Sequence, residues 1–104
     1  MDLTKGLGLI DMLLSEGCLG IMALMASKKV CRFGDLSKLE NPRTLKPFGK
    51  PTISYRLREL EASKMVEAKV ISSGAKRIVG YSLTEKGRKA LRIAERYEEE
   101  LERL

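Results

Sequence analysis

The stretch that decides the fold is 51-PTISYRLRELEASKMVEAKVISSGAKRIVGYSL-83. Its first part places Ile53, Leu57 and Leu60 at helical spacing, so residues 51–62 are predicted to form a helix with one apolar face. Pro51 suits the first turn of this helix, because a missing N–H group costs nothing there. Helical projection assigns six residues to the opposite face and its flanks: Thr52, Ser54, Tyr55, Arg56, Arg58 and Glu59.

The second part of this stretch predicts a β-hairpin. Alternating residues from Val66 favour one strand, and residues 78–83 favour the returning strand. Residues 72–75 are typical of a turn, and Lys76 and Arg77 give the predicted tip two positive charges. A helix with a free outer face can enter the major groove of DNA. A basic hairpin that follows it can then reach the DNA backbone or the minor groove.

The residues before this stretch predict more helices. Helical spacing predicts helices at residues 4–16 and from there to about Ser27, or one bent helix over the same range. These segments are apolar on several sides, so we expect a second subunit to cover them. Residues 33–39 predict a short helix, and residues 40–50, with three basic side chains and two prolines, predict a loop.

The residues after the hairpin predict a last helix that Thr84 caps, with Glu85 in its first turn. Small and apolar residues then alternate steps of three and four along it: Gly87, Ala90, Ala94, Tyr97, Leu101 and Leu104. This spacing favours a coiled-coil-like contact with another helix. Docking of the helix on its own domain fits the same pattern.

The charge of the chain is concentrated in its middle. The 104 residues have a net charge of +6, but residues 28–83 alone carry +8, while residues 1–27 carry −2 and residues 84–104 are neutral. A basic central block indicates a face that binds a polyanion. A solubilising basic surface explains the charge equally well.

The composition excludes several kinds of site. Histidine is absent, so a Ser-His, Cys-His or histidine-metal site cannot form, and two cysteines are too few for a zinc site in one chain. We therefore expect no enzyme, no metal and no cofactor. Acidic residues interrupt the apolar N-terminal segment, which argues against a signal peptide or membrane helix and for a cytoplasmic protein. The absence of glutamine and the high charged fraction favour a thermophilic source.

The two cysteines, Cys18 and Cys31, have different surroundings. Cys18 lies on an apolar helix and is expected in the core. Cys31 lies among Lys28, Lys29 and Arg32, which would stabilise a thiolate if the sulfur were exposed, so redox sensing is open as an interpretation. A small-molecule effector is also open, and in the absence of a separate ligand domain it would bind at the dimer interface.

Four short motifs resemble a known family: RFGDL at 32–36, TISYRLRELE at 52–61, MVE at 65–67 and YSLTEKGR at 81–88. Together they resemble winged helix-turn-helix regulators of the HxlR, MarR and PadR type, most closely HxlR, over about residues 18–90. The resemblance implies a mostly α fold with a small two-stranded β wing and terminal helices for dimerisation. Two departures are Lys64, where the family often has glycine, and the long loop at residues 40–50.

We therefore expect one winged-helix domain over residues 1–104, with N-terminal helices at 1–27, helix-turn-helix and wing at 28–83, and a dimerisation helix at 84–104. The predicted function is sequence-specific transcriptional regulation by a homodimer that binds double-stranded DNA. A non-specific architectural DNA-binding protein and a winged helix that binds another protein are the alternatives. Predicted DNA contacts are Lys50, Thr52, Ser54, Tyr55, Arg56, Arg58, Lys76 and Arg77.

Within this set the predicted roles differ. N-terminal residues of such a helix contact base edges, so Thr52, Ser54 and Tyr55 are predicted there. Arg58 suits either a guanine edge or a phosphate. Arg56 and Lys50 are predicted to bind phosphates. Lys76 and Arg77, at the tip of the hairpin, are predicted at the backbone or in the minor groove.

Overall fold

The computed structural model describes residues 6–74 and 76–104 of the chain. Within these residues, five helices and two strands follow in the order α1 (Gly8–Leu13), α2 (Cys18–Lys28), α3 (Phe33–Leu36), α4 (Lys50–Ala62), β1 (Val66–Ser73), β2 (Lys76–Leu83) and α5 (Glu85–Glu102). The expected mostly helical fold with a two-stranded wing is confirmed. The start of the first predicted helix, at residues 4 and 5, lies outside the described residues.

One cluster of buried side chains joins the helices. Its fully buried members are aliphatic or sulfur-containing: Ile21, Met22, Met25, Leu36, Ile53, Leu60, Cys18 and Cys31. They come from α2, α3 and α4 and from the connection before α3. Burial of these apolar side chains is the main source of stability in a chain this short.

The N-terminal segment forms two helices rather than one bent helix. Gly17 has a φ of 86° and is the N-cap residue of α2. This left-handed conformation is open to glycine at little cost, and it turns the chain sharply between α1 and α2. The turn at residues 15–17 also contacts α4, because the carbonyl oxygen of Glu16 accepts a hydrogen bond from Arg56.

α3 is shorter than predicted and ends at Leu36 instead of Leu39. The main-chain N–H of Arg32 donates to the carboxylate of Asp35 at 2.9 Å, and Lys28 pairs with the same carboxylate at 3.1 Å. These bonds lower the pKa of Asp35. Beyond Leu36 the chain tightens, because the N–H groups of Lys38 and Leu39 donate to carbonyl oxygens three residues back, and the carbonyl oxygen of Leu39 accepts from the N–H of Phe48 in the following loop.

The wing is longer than predicted. β1 and β2 pair antiparallel from Val66 opposite Leu83 to Ser73 opposite Lys76, so the predicted four-residue turn is wrong and only two residues separate the strands. At the base of the wing, Tyr81 of β2 exchanges two main-chain hydrogen bonds with Cys31, at 2.7 and 2.8 Å. The connection before α3 thereby joins the wing to the core.

α5 begins against the turn between α4 and β1. The hydroxyl of Thr84 accepts from the N–H of Gly87 at 3.0 Å, which confirms the predicted cap, and donates to the carbonyl oxygen of Lys64 at 2.6 Å. A Cβ atom on Gly87 would lie only 2.0 Å from the carbonyl oxygen of Met65, so only glycine fits there. Lys64 has a φ of 62°, a conformation that favours glycine. This explains why the resembled family often has glycine where this chain has Lys64.

Candidate nucleic-acid interface

α4 has one buried face and one exposed face. Ile53, Leu57 and Leu60 are at most 3% exposed and form part of the core, as their spacing predicts. On the opposite face, Tyr55 is 54% exposed and Arg58 is also exposed. The side chain of Arg58 has no ion pair or hydrogen bond within the described residues. This outer face is available to a partner.

The N-terminal turn of α4 carries three further predicted contact residues. Lys50 is the first helical residue and is exposed, whereas Thr52 and Ser54 are half-buried. Lys50 therefore belongs to the helix, and the predicted loop at 40–50 ends one residue earlier, at the N-cap residue Gly49. The positive end of the helix dipole and the Lys50 ammonium group lie together, which favours an anion at this end.

Arg56 has a different environment from Arg58. Its Nε donates to the main-chain carbonyl oxygen of Glu16 at 2.9 Å, and its Nη1 lies 2.8 Å from a carboxylate oxygen of Glu59. The side chain is only 20% exposed, and its guanidinium carbon lies 5.2 Å from the centre of the Tyr55 ring. The bond to Glu16 joins α4 to the turn between α1 and α2, and the contacts with Glu59 and Tyr55 fix the Arg56 side chain on α4.

The tip of the wing carries the two predicted basic residues in exposed positions. Lys76 and Arg77 are exposed, and neither side chain has an ion pair in the part of the chain that the structure describes. Val70 and Val79, which face each other across β1 and β2, are also exposed. The outer half of the wing therefore lies away from the core.

Both cysteine sulfurs are buried. Cys18 is fully buried, and burial raises the pKa of its thiol from 9.0 to about 11, with a smaller contribution in the same direction from the charge of Glu59. Burial also raises the pKa of Cys31, although the charge of Lys28 acts against it. Exposure of Cys31 was the condition for a stabilised thiolate, and the structure does not meet it. Among the described residues, no group of histidine, cysteine, aspartate and glutamate side chains could hold a metal ion.

The series of small and apolar residues on α5 divides into two parts. Gly87 is buried and Ala90 packs against the core, so the first part docks on the chain's own domain. Tyr97, Leu101 and Leu104 are 54%, 63% and 98% exposed. Beside them, α1 exposes a further apolar set, and a groove lies between the two helices; its α1 side is formed by Ile10, Leu13 and Leu14. No helix among residues 6–74 and 76–104 is both long and apolar enough to span a membrane.

Sequence reasoning missed the loop before α4 as a candidate part of the interface. Asn41 is 9% exposed, and its side-chain amide donates to the carboxylate of Glu16. In the same loop, Arg43 and Lys46 are exposed and basic. The available signal was that Asn41 is the only asparagine of the chain and stands in a basic loop.

Comparison with known proteins supports the assignment of the fold. A crystal structure of a PadR family transcription regulator from Clostridium difficile superimposes with a TM-score of 0.71 at 17% identity, over 84% of this chain and 91% of that one. A transcriptional regulator assigned to the MarR family, from Enterococcus faecalis, gives 0.64 at 22% identity, over 100% and 96%. The reduced form of the transcriptional regulator YodB from Bacillus subtilis gives 0.66 at 22% identity, over 94% and 89%.

A family model, and not an individual curated relative, identifies the family of this chain. A comparison with curated protein sequences gave no significant match. The family model described as HxlR-like helix-turn-helix matches residues 17–100, which is most of the chain and includes α2 through most of α5. The chain therefore belongs to the HxlR-like helix-turn-helix family and is a winged-helix transcriptional regulator, not an enzyme.

Proposed function

We propose that this regulator binds specific sequences in double-stranded DNA as a homodimer, with α4 in the major groove and the wing tip on the backbone or in the minor groove. The observation that carries the proposal is the exposure of Tyr55 and Arg58 opposite the buried residues of α4. An α-helix fits the major groove, and its outer side chains then meet the base edges.

The environments of the side chains on and beside α4 support different roles. Thr52, Ser54 and Tyr55 are placed at base edges in this proposal, because they lie in the first turns of the helix. The unpaired guanidinium group of Arg58 is free to bind a guanine edge with two hydrogen bonds. Arg56 is assigned a structural role instead of a phosphate contact, since two of its nitrogens are engaged within the fold.

Phosphate contacts are proposed for the basic residues at the two ends of this surface. Lys50 lies at the N-terminus of α4, where the helix dipole adds to its charge. Lys76 and Arg77 lie at the wing tip and are exposed. Such contacts supply affinity that does not depend on the base sequence.

The homodimer is proposed on the apolar surface shared by α1 and the end of α5. Leu14 and Leu101 are more than half exposed there, next to Tyr97 and Ile93. Exposed apolar side chains grouped in this way mark an interaction surface. A second copy provides the same apolar surface, and a symmetric dimer would cover both surfaces at once.

Selection of bound fragments from random duplex DNA tests the proposal. We expect an enriched sequence with two-fold symmetry, whose half-sites lie one helical turn or a multiple of it apart. We also expect a mass in solution of twice 11.6 kDa. Equal binding to all fragments would instead indicate an architectural DNA-binding protein, and no binding at low salt would indicate a protein partner.

A further inference from the structure

The loop of residues 37–49, which leads into α4, has a defined conformation. Its two ends are joined by a hydrogen bond from the N–H of Phe48 to the carbonyl oxygen of Leu39 at 2.9 Å. Further in, the N–H of Asn41 donates to the carbonyl oxygen of Lys46 at 2.8 Å. The loop therefore closes on itself as a small hairpin.

Asn41 fixes the tip of this hairpin. Its main-chain carbonyl oxygen accepts from the N–H of Leu45 at 2.8 Å, and its side-chain oxygen accepts from the N–H of Arg43 at 2.9 Å. Its side-chain nitrogen donates to the carboxylate of Glu16. One nearly buried side chain thus sets the path of the main chain that carries Arg43 and Lys46.

Glu16 is shared by the loop and α4. Its carboxylate accepts from Asn41, and its main-chain carbonyl oxygen accepts from Arg56. The loop consequently lies along the flank of α4 that carries Arg56. The buried ring of Phe48 supports this arrangement, because it lies 3.6 Å from the position that a Cβ atom would take on Gly17.

The charge of the loop matches the phosphate backbone beside a helix in the major groove. Residues 37–50 contain four basic side chains and one acidic side chain. Arg43 and Lys46 are exposed, and neither forms an ion pair among the residues described. The major groove is only about 12 Å wide, so a helix inside it has phosphates on both flanks.

We propose that residues 40–47 form a third DNA-contacting element, beside α4 and the wing, in which Arg43 and Lys46 bind backbone phosphates next to α4. The hydrogen bond between Asn41 and Glu16 positions this element. The inference rests on the proposed function and adds a contact surface that neither α4 nor the wing supplies.

The contact is tested with the Arg43→Gln/Lys46→Gln pair, assayed on a selected duplex and on random duplex. Affinity for both is expected to fall by the same factor, on the order of tenfold per lost contact near 0.1 M salt. The slope of log affinity against log salt should become shallower by about 1.8, because each phosphate contact contributes about 0.9. The Lys89→Gln/Arg92→Gln pair on α5 removes the same charge. A slope change no larger than in this control would overturn the inference.

The positioning role of Asn41 is tested by exchanging the two partners. Asn41→Asp keeps the oxygen that accepts from Arg43 but loses the donor to Glu16, so DNA affinity is expected to fall. Adding Glu16→Gln places an amide donor at residue 16, opposite the new carboxylate at residue 41, and returns the net charge to its original value. DNA affinity is therefore expected to recover. Adding Glu40→Gln to Asn41→Asp corrects the charge alone and should not restore affinity. If Glu16→Gln and Glu40→Gln restore DNA affinity equally, the hydrogen bond between residues 41 and 16 is not the cause of the loss.

One control checks the fold of the variants, and another separates this inference from the proposed function. Thermal unfolding establishes that each variant is folded at the assay temperature. If the unmodified protein binds no duplex, the proposed function itself fails. If it binds duplex and Arg58→Ala weakens binding while the Arg43 and Lys46 pair does not, only the loop contact is wrong.

Discussion

Arg56 donates from Nε to the main-chain carbonyl oxygen of Glu16 at 2.9 Å, across forty positions of sequence. The same guanidinium group pairs with Glu59 one turn further along α4. Arg58, two residues away on the same helix, is exposed and makes no such bonds in the described part of the chain. The two arginines therefore differ in what they contribute, although both are basic residues of one helix.

Arg56→Ala is predicted to lower the free energy of unfolding by about 1–3 kcal/mol, because it removes charge-assisted hydrogen bonds that are partly shielded from water. Arg58→Ala should change this free energy by less than about 0.5 kcal/mol, as is usual for an exposed side chain. Urea denaturation of the two variants measures the difference. Equal effects would show that the Arg56 contacts do not stabilise the fold.

Lys76→Ala/Arg77→Ala is predicted to weaken binding to every duplex by the same factor, because phosphate contacts carry no base information. If each residue binds one phosphate, the salt slope should become shallower by about 1.8. Titration of duplex DNA at several salt concentrations provides the measurement. An unchanged slope would place the wing tip away from the backbone, and loss confined to the selected sequence would indicate base contacts instead.

Local sequence pattern predicts much of this fold and part of the candidate interface. Ile53, Leu57 and Leu60 have the spacing of a buried helical face, and Thr84 precedes the last helix with the hydroxyl needed for a cap. Each of these features depends on residues within one or two turns. The outer face of α4 follows from the same spacing, since polar residues opposite a buried apolar stripe favour a solvent-exposed face.

Contacts between distant residues were not predictable in this way. Asn41 and Glu16 are 25 positions apart, and Arg56 reaches the same turn from 40 positions away. Helical projection places Arg56 correctly on a flank of α4 but does not reveal its partners. The hydrogen bond from the N–H of Phe48 to the carbonyl oxygen of Leu39 is a further contact that the pattern of residues 33–39 does not reveal.

Gly87→Ala is predicted to destabilise the protein by about 1–3 kcal/mol or more, since the added methyl group would overlap the carbonyl oxygen of Met65 and push α5 away from the turn. Gly34→Ala is the matched control, because Gly34 lies in α3 and a Cβ atom there has nothing within 4 Å. Gly34→Ala should be neutral or slightly stabilising. Thermal unfolding compares the two, and similar losses would contradict the close approach at Gly87.

Ionisation of the Cys18 thiol is predicted to lower the stability of the protein at alkaline pH. Its pKa in the folded protein, about 11, is above the ordinary value of 9.0. A raised pKa gives stability that is complete below pH 9 and is lost as the pH rises towards 11, by up to about 2–3 kcal/mol. The free energies of unfolding of the unmodified protein and of Cys18→Ala should therefore converge between pH 9 and pH 11. A constant difference between them would mean that the thiol titrates normally.

Leu101→Glu is predicted to convert the proposed dimer into monomers, because it places a charge on the apolar surface of α1 and α5. Val70→Glu on the wing adds the same charge at a similarly exposed apolar residue and should leave the mass unchanged. Sedimentation equilibrium measures both. Dissociation by both variants or by neither would place the subunit contact elsewhere.

In the proposed complex, the outer face of α4 contacts the bases of the DNA. The most direct test is the ratio of affinities for the selected duplex and for random duplex, measured at one salt concentration before and after Arg58→Ala. We predict that the ratio falls by a factor that corresponds to about 1–3 kcal/mol of binding free energy, which is the discrimination expected of a bidentate contact between arginine and guanine. An unchanged ratio, with both affinities reduced equally, would contradict the base contact and make Arg58 a phosphate ligand.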